Sequence, residues 1–171
     1  CLTYANFDVI EIPSGYALTT TLPHQENGFP GNLSVKVCYL LDKNNFKVTY
    51  EATTDQDTIV NLTQHAYFNL SGNLKENIYN HELQIKADYV AEVDENLSFT
   101  TQLVPVKGTL FDFNQPTIVN HKSKEVLPLF ENTSGYDHLY LLSDIDHAVV
   151  FKHLDSNRTL KVSTTSPSMQ F

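Results

Sequence analysis

The sequence predicts an all-β protein built as an antiparallel β-sandwich, and three observations predict it. Apolar residues recur with a period of two along several segments, which marks strands with one buried face. Clusters of Asn, Asp, Ser and Gly separate those segments at hairpin spacing, and such residues tolerate the backbone of tight turns. No stretch carries a sustained 3.6-residue apolar stripe, so long helices are not expected. Sheets that bury one face pair antiparallel and pack in layers.

Residues 16–22 give a first, weak strand. Gly28-Phe29-Pro30-Gly31 reads as a loop inside a domain. Leu33-Ser34-Val35-Lys36-Val37-Cys38-Tyr39-Leu40-Leu41 alternates, the turn residues Asp42-Lys43-Asn44-Asn45 follow, and residues 46–53 alternate again. Together they predict a β-hairpin. A weak strand is expected over 58–64, ahead of His65, the aromatic pair Tyr67-Phe68 and a turn at Ser71-Gly72-Asn73. Further weak strands are expected over 82–90 and 136–142. A short helical turn is expected after Gln115-Pro116, because proline suits the first helical position. Residues 148–154 and 159–165 make a second hairpin across Asp155-Ser156-Asn157-Arg158. No internal repeat or low-complexity linker divides the chain, so residues 1–171 are expected to be one domain.

The totals narrow the function. The 171 residues can bury a sizeable core, and 41% hydrophobic with 18% charged excludes a disordered segment. The net charge of −9 comes without any basic stripe, which argues against nucleic acid and against an anionic membrane surface. No apolar run is long enough for a transmembrane helix. The two cysteines, Cys1 and Cys38, do not suggest a disulfide framework. The start, Cys1-Leu2-Thr3-Tyr4-Ala5-Asn6, does not read as a signal peptide. A reducing, cytoplasmic setting is therefore expected. Six Asn-x-Ser/Thr sequons are read as chance in an Asn-rich chain.

Phosphate loops of the Walker and dinucleotide types, a zinc helix, a C-x-x-C pair and a G-x-S-x-G elbow are all missing from the sequence. Nucleophilic catalysis by serine or cysteine thus has no support. His65 is the first candidate. It is flanked by amide and hydroxyl side chains able to orient an imidazole, and an ordinary imidazole exchanges protons near neutral pH.

Four stretches then carry a resemblance. Asn61-Leu62-Thr63-Gln64-His65-Ala66-Tyr67-Phe68-Asn69-Leu70-Ser71-Gly72 resembles the signature of aldose 1-epimerases, or galactose mutarotases. Glu26-Asn27-Gly28-Phe29-Pro30-Gly31-Asn32-Leu33 resembles that family's acidic-Gly-aromatic-Pro-Gly-Asn turn. Ser134-Gly135-Tyr136-Asp137-His138 resembles its Gly-Tyr-Asp-His motif, and Thr164-Thr165-Ser166-Pro167-Ser168-Met169-Gln170-Phe171 resembles its strand ending in Gln-Phe. The motifs occur in the family's order and cover nearly the whole chain.

The resemblance implies a large antiparallel sandwich, a mutarotase-like supersandwich, with a sugar cleft on one face. It implies enzymes that interconvert the α and β anomers of aldohexoses such as galactose and glucose, with no metal or organic cofactor. By motif, His65 matches the general acid, Asp137 a carboxylate that binds sugar hydroxyls, and Gln170 a glutamine at the cleft. The family's second histidine, in a His-Gly-Gly context, and its upstream arginine have no match in residues 1–25, and no glutamate follows Glu131. The expectation is a central-to-C-terminal part of one epimerase domain, cut at both ends, whose general base lies outside it. Such a piece alone is expected to be inactive.

The expected partner is a monosaccharide. A non-catalytic carbohydrate-binding sandwich is the alternative, and a ligand-free structural module the third reading. A phosphohexose mutarotase would want several arginines, and the sequence has only Arg158. Tyr67 and Phe68 read more readily as core than as a stacking platform. Asn61 and Asn69 read as backbone ties. His24, His81, His121, His147 and His153 read as surface or structural residues.

Overall fold

The computed structural model describes residues 2–73, 75–96, 98–119 and 135–171. The chain forms two compact units, Cys1–Ala66 and Tyr67–Phe171. Among the described residues no helix is long and apolar enough to cross a membrane.

The first unit is an antiparallel meander of β1 (Asp8–Ile12), β2 (Gly15–Leu22), β3 (Leu33–Asp42) and β4 (Asn45–Thr54) in sequential order. The predicted hairpin is β3–β4, closing at the Asp42–Asn45 pair. Lys43, rather than an Asn or Asp, takes positive φ in its turn (54°). Val35 and Val37, two residues apart, bury the same face of β3. Gly15 starts β2 where the chain crosses Tyr39 closely: an added Cβ would sit 1.9 Å from the Tyr39 carbonyl oxygen. The Gly-Phe-Pro-Gly-Asn turn is tied to the end of β4. Asp55 accepts from the Asn32 backbone amide at 2.7 Å and from its side-chain amide at 2.6 Å. Those two bonds hold the Asp55 carboxyl below the usual carboxylate range. His24 Nδ1 accepts from Gly31 N at 3.1 Å, so His24 has a structural role, as expected.

The second unit stacks two four-stranded sheets on one core. One sheet has the order β11 (Thr159–Val162), β10 (Val149–His153), β5 (His81–Ile85), β8 (Thr117–Ile118). The other runs β12 (Ser168–Gln170), β9 (Leu139–Leu142), β6 (Ala87–Val93), β7 (Phe99–Pro105). Leu83, Ile85, Val149 and Phe151 from the first sheet meet Val90 and Tyr140 from the second, with Phe111 and Phe113 from the connection between β7 and β8. Each such large side chain contributes about 1.5–3 kcal/mol when fully buried. This is the antiparallel β-sandwich that the period-two pattern predicts.

Four expectations need correction. Residues 58–64 join no sheet: Ile59 and Val60 are adjacent and both exposed, so the segment has no single apolar face to bury. Residues 82–90 are not one strand. The chain changes sheets at Lys86, whose N–H goes to Ala148 O and whose carbonyl accepts from Ser143 N, each at 2.9 Å. The helical turn after Pro116 is instead β8, where Leu83 and Glu82 pair with Thr117 and Ile118. Strands β1 and β7 were not expected; their outward residues are polar and apolar alike, which blurs the alternation.

Candidate functional site

Asp137 and Gln170 are 33 residues apart in sequence and adjacent in space. The reason is a ladder. β9 and β12 pair antiparallel with Leu139 opposite Gln170, and the pairing continues as His138 N to Phe171 O at 2.9 Å and Phe171 N to His138 O at 3.1 Å. Alternation then sorts the side chains. Tyr136 and His138 turn inward on either side of Asp137, and Phe171 turns inward after Gln170, leaving Asp137 and Gln170 exposed. The Gln170 side-chain amide donates to Asp137 Oδ1. The result is a carboxylate and an amide side by side on a strand pair, a set that both accepts from and donates to hydroxyls.

An aromatic layer backs this pair. Tyr136 packs on Phe171 with ring centroids 5.5 Å apart, Phe113 meets Phe171 edge-on at 5.8 Å, and His138 tilts against Phe111 at 4.6 Å. Tyr136 donates its hydroxyl to Leu110 O at 3.0 Å. Burial raises the Tyr136 pKa, so it remains a neutral donor. The ring of His138 is fixed as well, since its Nδ1 accepts from Asp137 N at 3.1 Å.

His65 lies in the first unit, on the chain between β4 and β5, and is exposed. Tyr67 is 89% exposed and Phe68 46%, so neither is core and the core reading of this pair is corrected. The segment that follows is ordered by polar bonds. Asn69 donates its amide to Glu76 O at 2.7 Å and accepts from Ser71 N at 3.0 Å, a backbone tie as expected. Asn73 donates to Glu76 Oε1 at 2.6 Å and accepts from Lys75 N at 2.9 Å.

The sequence reading missed the groups beneath this turn. His81 and His153, read as surface or structural, are both buried and tilt against each other at 4.6 Å. His147 is exposed, and His121 lies outside the described residues. Burial, and then the charge of His153, hold the His81 imidazole below its ordinary value, against weaker upward pulls from the Ile78 carbonyl and Glu76. Arg158 donates from Nη1 to Ser71 O at 2.9 Å and to Leu70 O at 3.3 Å. The one available signal was that Arg158 is the sole arginine of a chain that otherwise uses lysine; its planar fork can serve two carbonyls at once.

A shallow groove on the first unit's sheet, lined by Thr19, Thr21, Ser34, Lys36, Glu51 and Thr53, contains none of the motif residues. Among the described residues no three His, Cys, Asp or Glu side chains converge as a metal site.

Comparison with known proteins gives a consistent picture. Residues 4–171 match the family model described as aldose 1-epimerase. Galactose mutarotase of Sus scrofa is 38% identical over 163 residues, which cover 94% of this chain and 46% of that protein. Aldose 1-epimerase of Escherichia coli K12 is 41% identical over 153 residues, 85% of this chain and 43% of that protein. The crystal structure of galactose 1-epimerase from Lactobacillus acidophilus NCFM superposes with a TM-score of 0.83 at 29% identity, covering 96% of this chain and 49% of that one. The chain thus spans about half the length of the curated relatives it matches.

Proposed function

Because the chain belongs to the aldose 1-epimerase family, we propose that the complete protein interconverts the α and β anomers of an aldohexose such as galactose or glucose by acid–base ring opening. Asp137 and Gln170 bind sugar hydroxyls in this reading, and His65 is the proton donor. The observation that carries it is the Asp137–Gln170 pair, presented to solvent on an aromatic-backed ladder by two motifs distant in sequence. A neutral sugar needs no charge steering, so the acidity of the chain is compatible with it.

The proton accounting is closed. The imidazolium of His65 gives its proton to the ring oxygen as the bond from the anomeric carbon to that oxygen breaks. A carboxylate base takes the proton of the anomeric hydroxyl, whose oxygen becomes the aldehyde carbonyl. The aldehyde turns its other face and the two transfers reverse, returning both groups to their starting states. Each positioned transfer contributes about 10²–10⁴-fold.

The test follows the change in optical rotation of fresh α-glucose and α-galactose with the complete protein. His65→Asn is expected to reduce the enzymatic rate by about 10²–10⁴-fold, the contribution of one positioned proton donor. An undiminished rate in that variant removes His65 from the chemistry.

A further inference from the structure

Two successive carbonyls and one amide, just after the aromatic pair, are held by side chains from distant strands and loops. Leu70 N donates to His81 Nε2 at 3.0 Å. Leu70 O accepts from Ser156 Oγ at 3.0 Å and from Arg158 Nη1, and Ser71 O accepts from the same Arg158 nitrogen. Eleven residues separate Leu70 from His81, 86 separate it from Ser156 and 88 from Arg158. The partners are themselves fixed. His81 is fully buried and stacked on Phe151 at 4.7 Å. Ser156 Oγ is 2.9 Å from His153 Nδ1. Gly72 leaves the space that the guanidinium fills, since an added Cβ would lie 2.3 Å from Nη1.

A turn already closed by Asn69, Asn73 and Glu76 does not need three further anchors to keep its own shape. What the anchors add is a fixed position within the second unit for Leu70, five residues along the chain from His65. A proton donor must be held to a fraction of an ångström, and a displacement of about 1 Å costs on the order of 10²-fold in rate. We propose that His81 and Arg158 are positioning residues for proton transfer: through Leu70 and Ser71 they set the point from which the His65 segment departs. This inference rests on the reading of His65 as the ring-oxygen acid.

Kinetics of the complete enzyme test it. Arg158→Met and His81→Leu are expected to lower kcat by about tenfold to 10²-fold with a smaller change in KM. His81→Gln, whose amide oxygen can take the place of Nε2, and Arg158→Lys are expected to recover much of the loss. His65→Asn is measured alongside. Full activity in His65→Asn overturns the reading of the site itself. Inactive His65→Asn with undiminished kcat in Arg158→Met and His81→Leu overturns the positioning role and leaves that reading standing. Should either truncating variant fail to fold, hydrogen exchange of the wild-type Leu70 amide decides. Protection well above that of the exposed turn amides supports the clamp, and exchange at the rate of an unprotected peptide overturns it.

Discussion

Replacing Gly72 by alanine should destabilise the second unit by two separable effects. Gly72 has φ of +82°, in the left-handed region, where a Cβ costs about 1–2 kcal/mol. The new methyl would also stand 2.3 Å from Arg158 Nη1 and 2.7 Å from Cζ. The guanidinium can swing away, but only by giving up Leu70 O and Ser71 O, bonds of a charged donor worth about 1.5–3 kcal/mol; the exposure of Arg158 puts them at the low end. The expected total is about 3 kcal/mol. In an Arg158→Ala background the clash is gone, and Gly72→Ala should cost only the backbone strain, about 1–2 kcal/mol. The four proteins of this cycle, unfolded in urea and followed by circular dichroism, should therefore give a coupling of about 1.5 kcal/mol between the two sites. Equal costs of Gly72→Ala in both backgrounds would refute the claim that the missing Cβ exists to seat Arg158.

Three further outcomes follow from single environments. Among the described residues the buried Tyr140 hydroxyl has no hydrogen-bond partner, and burial raises its pKa strongly, so Tyr140→Phe should leave the urea midpoint unchanged or raise it; a loss beyond about 1 kcal/mol would show a bond to this hydroxyl that the described residues do not supply. The His81 pKa is depressed in the fold by burial and by His153, so its contribution is complete above the unfolded value of about 6.5 and is lost as pH falls below it, because the unfolded chain takes the proton first. Stability should drop on acidification through that window with Glu76 and His153 still facing the ring, and His81→Gln should flatten the slope; identical slopes would exclude His81. Lys86 donates to Asp144 at 2.8 Å and holds that carboxyl below the ordinary range. Its stabilising share is present above the unfolded pKa and disappears as pH falls through the lower folded value. Lys86→Met should move the Asp144 carboxyl carbon titration upward in NMR, and an unmoved curve would deny the pair.

What local chemistry could dictate was legible in the chain. The hairpin β3–β4 and the hairpin β10–β11 follow from alternation plus turn residues, because both partners of each ladder are neighbours in sequence. The four collinear motifs identified the family that the comparisons then gave. They also named Asp137 and Gln170 without any indication that the two touch. Residues 58–64 mark the limit from the other side: β-branched residues favour a strand, but a strand exists only where another offers its free edge.

The sequence by itself determined the β3–β4 and β10–β11 hairpins, where their turns fall, and the family to which the chain belongs. Only the tertiary structure decided that Gln170 meets Asp137, that the sole arginine clasps the turn after the aromatic pair, and that His81 lies beneath it as a buried acceptor. The physical reason is distance along the chain. Period and turn chemistry act over a few residues, whereas these contacts join groups up to 88 residues apart, and only the assembled ladders bring their backbones into register.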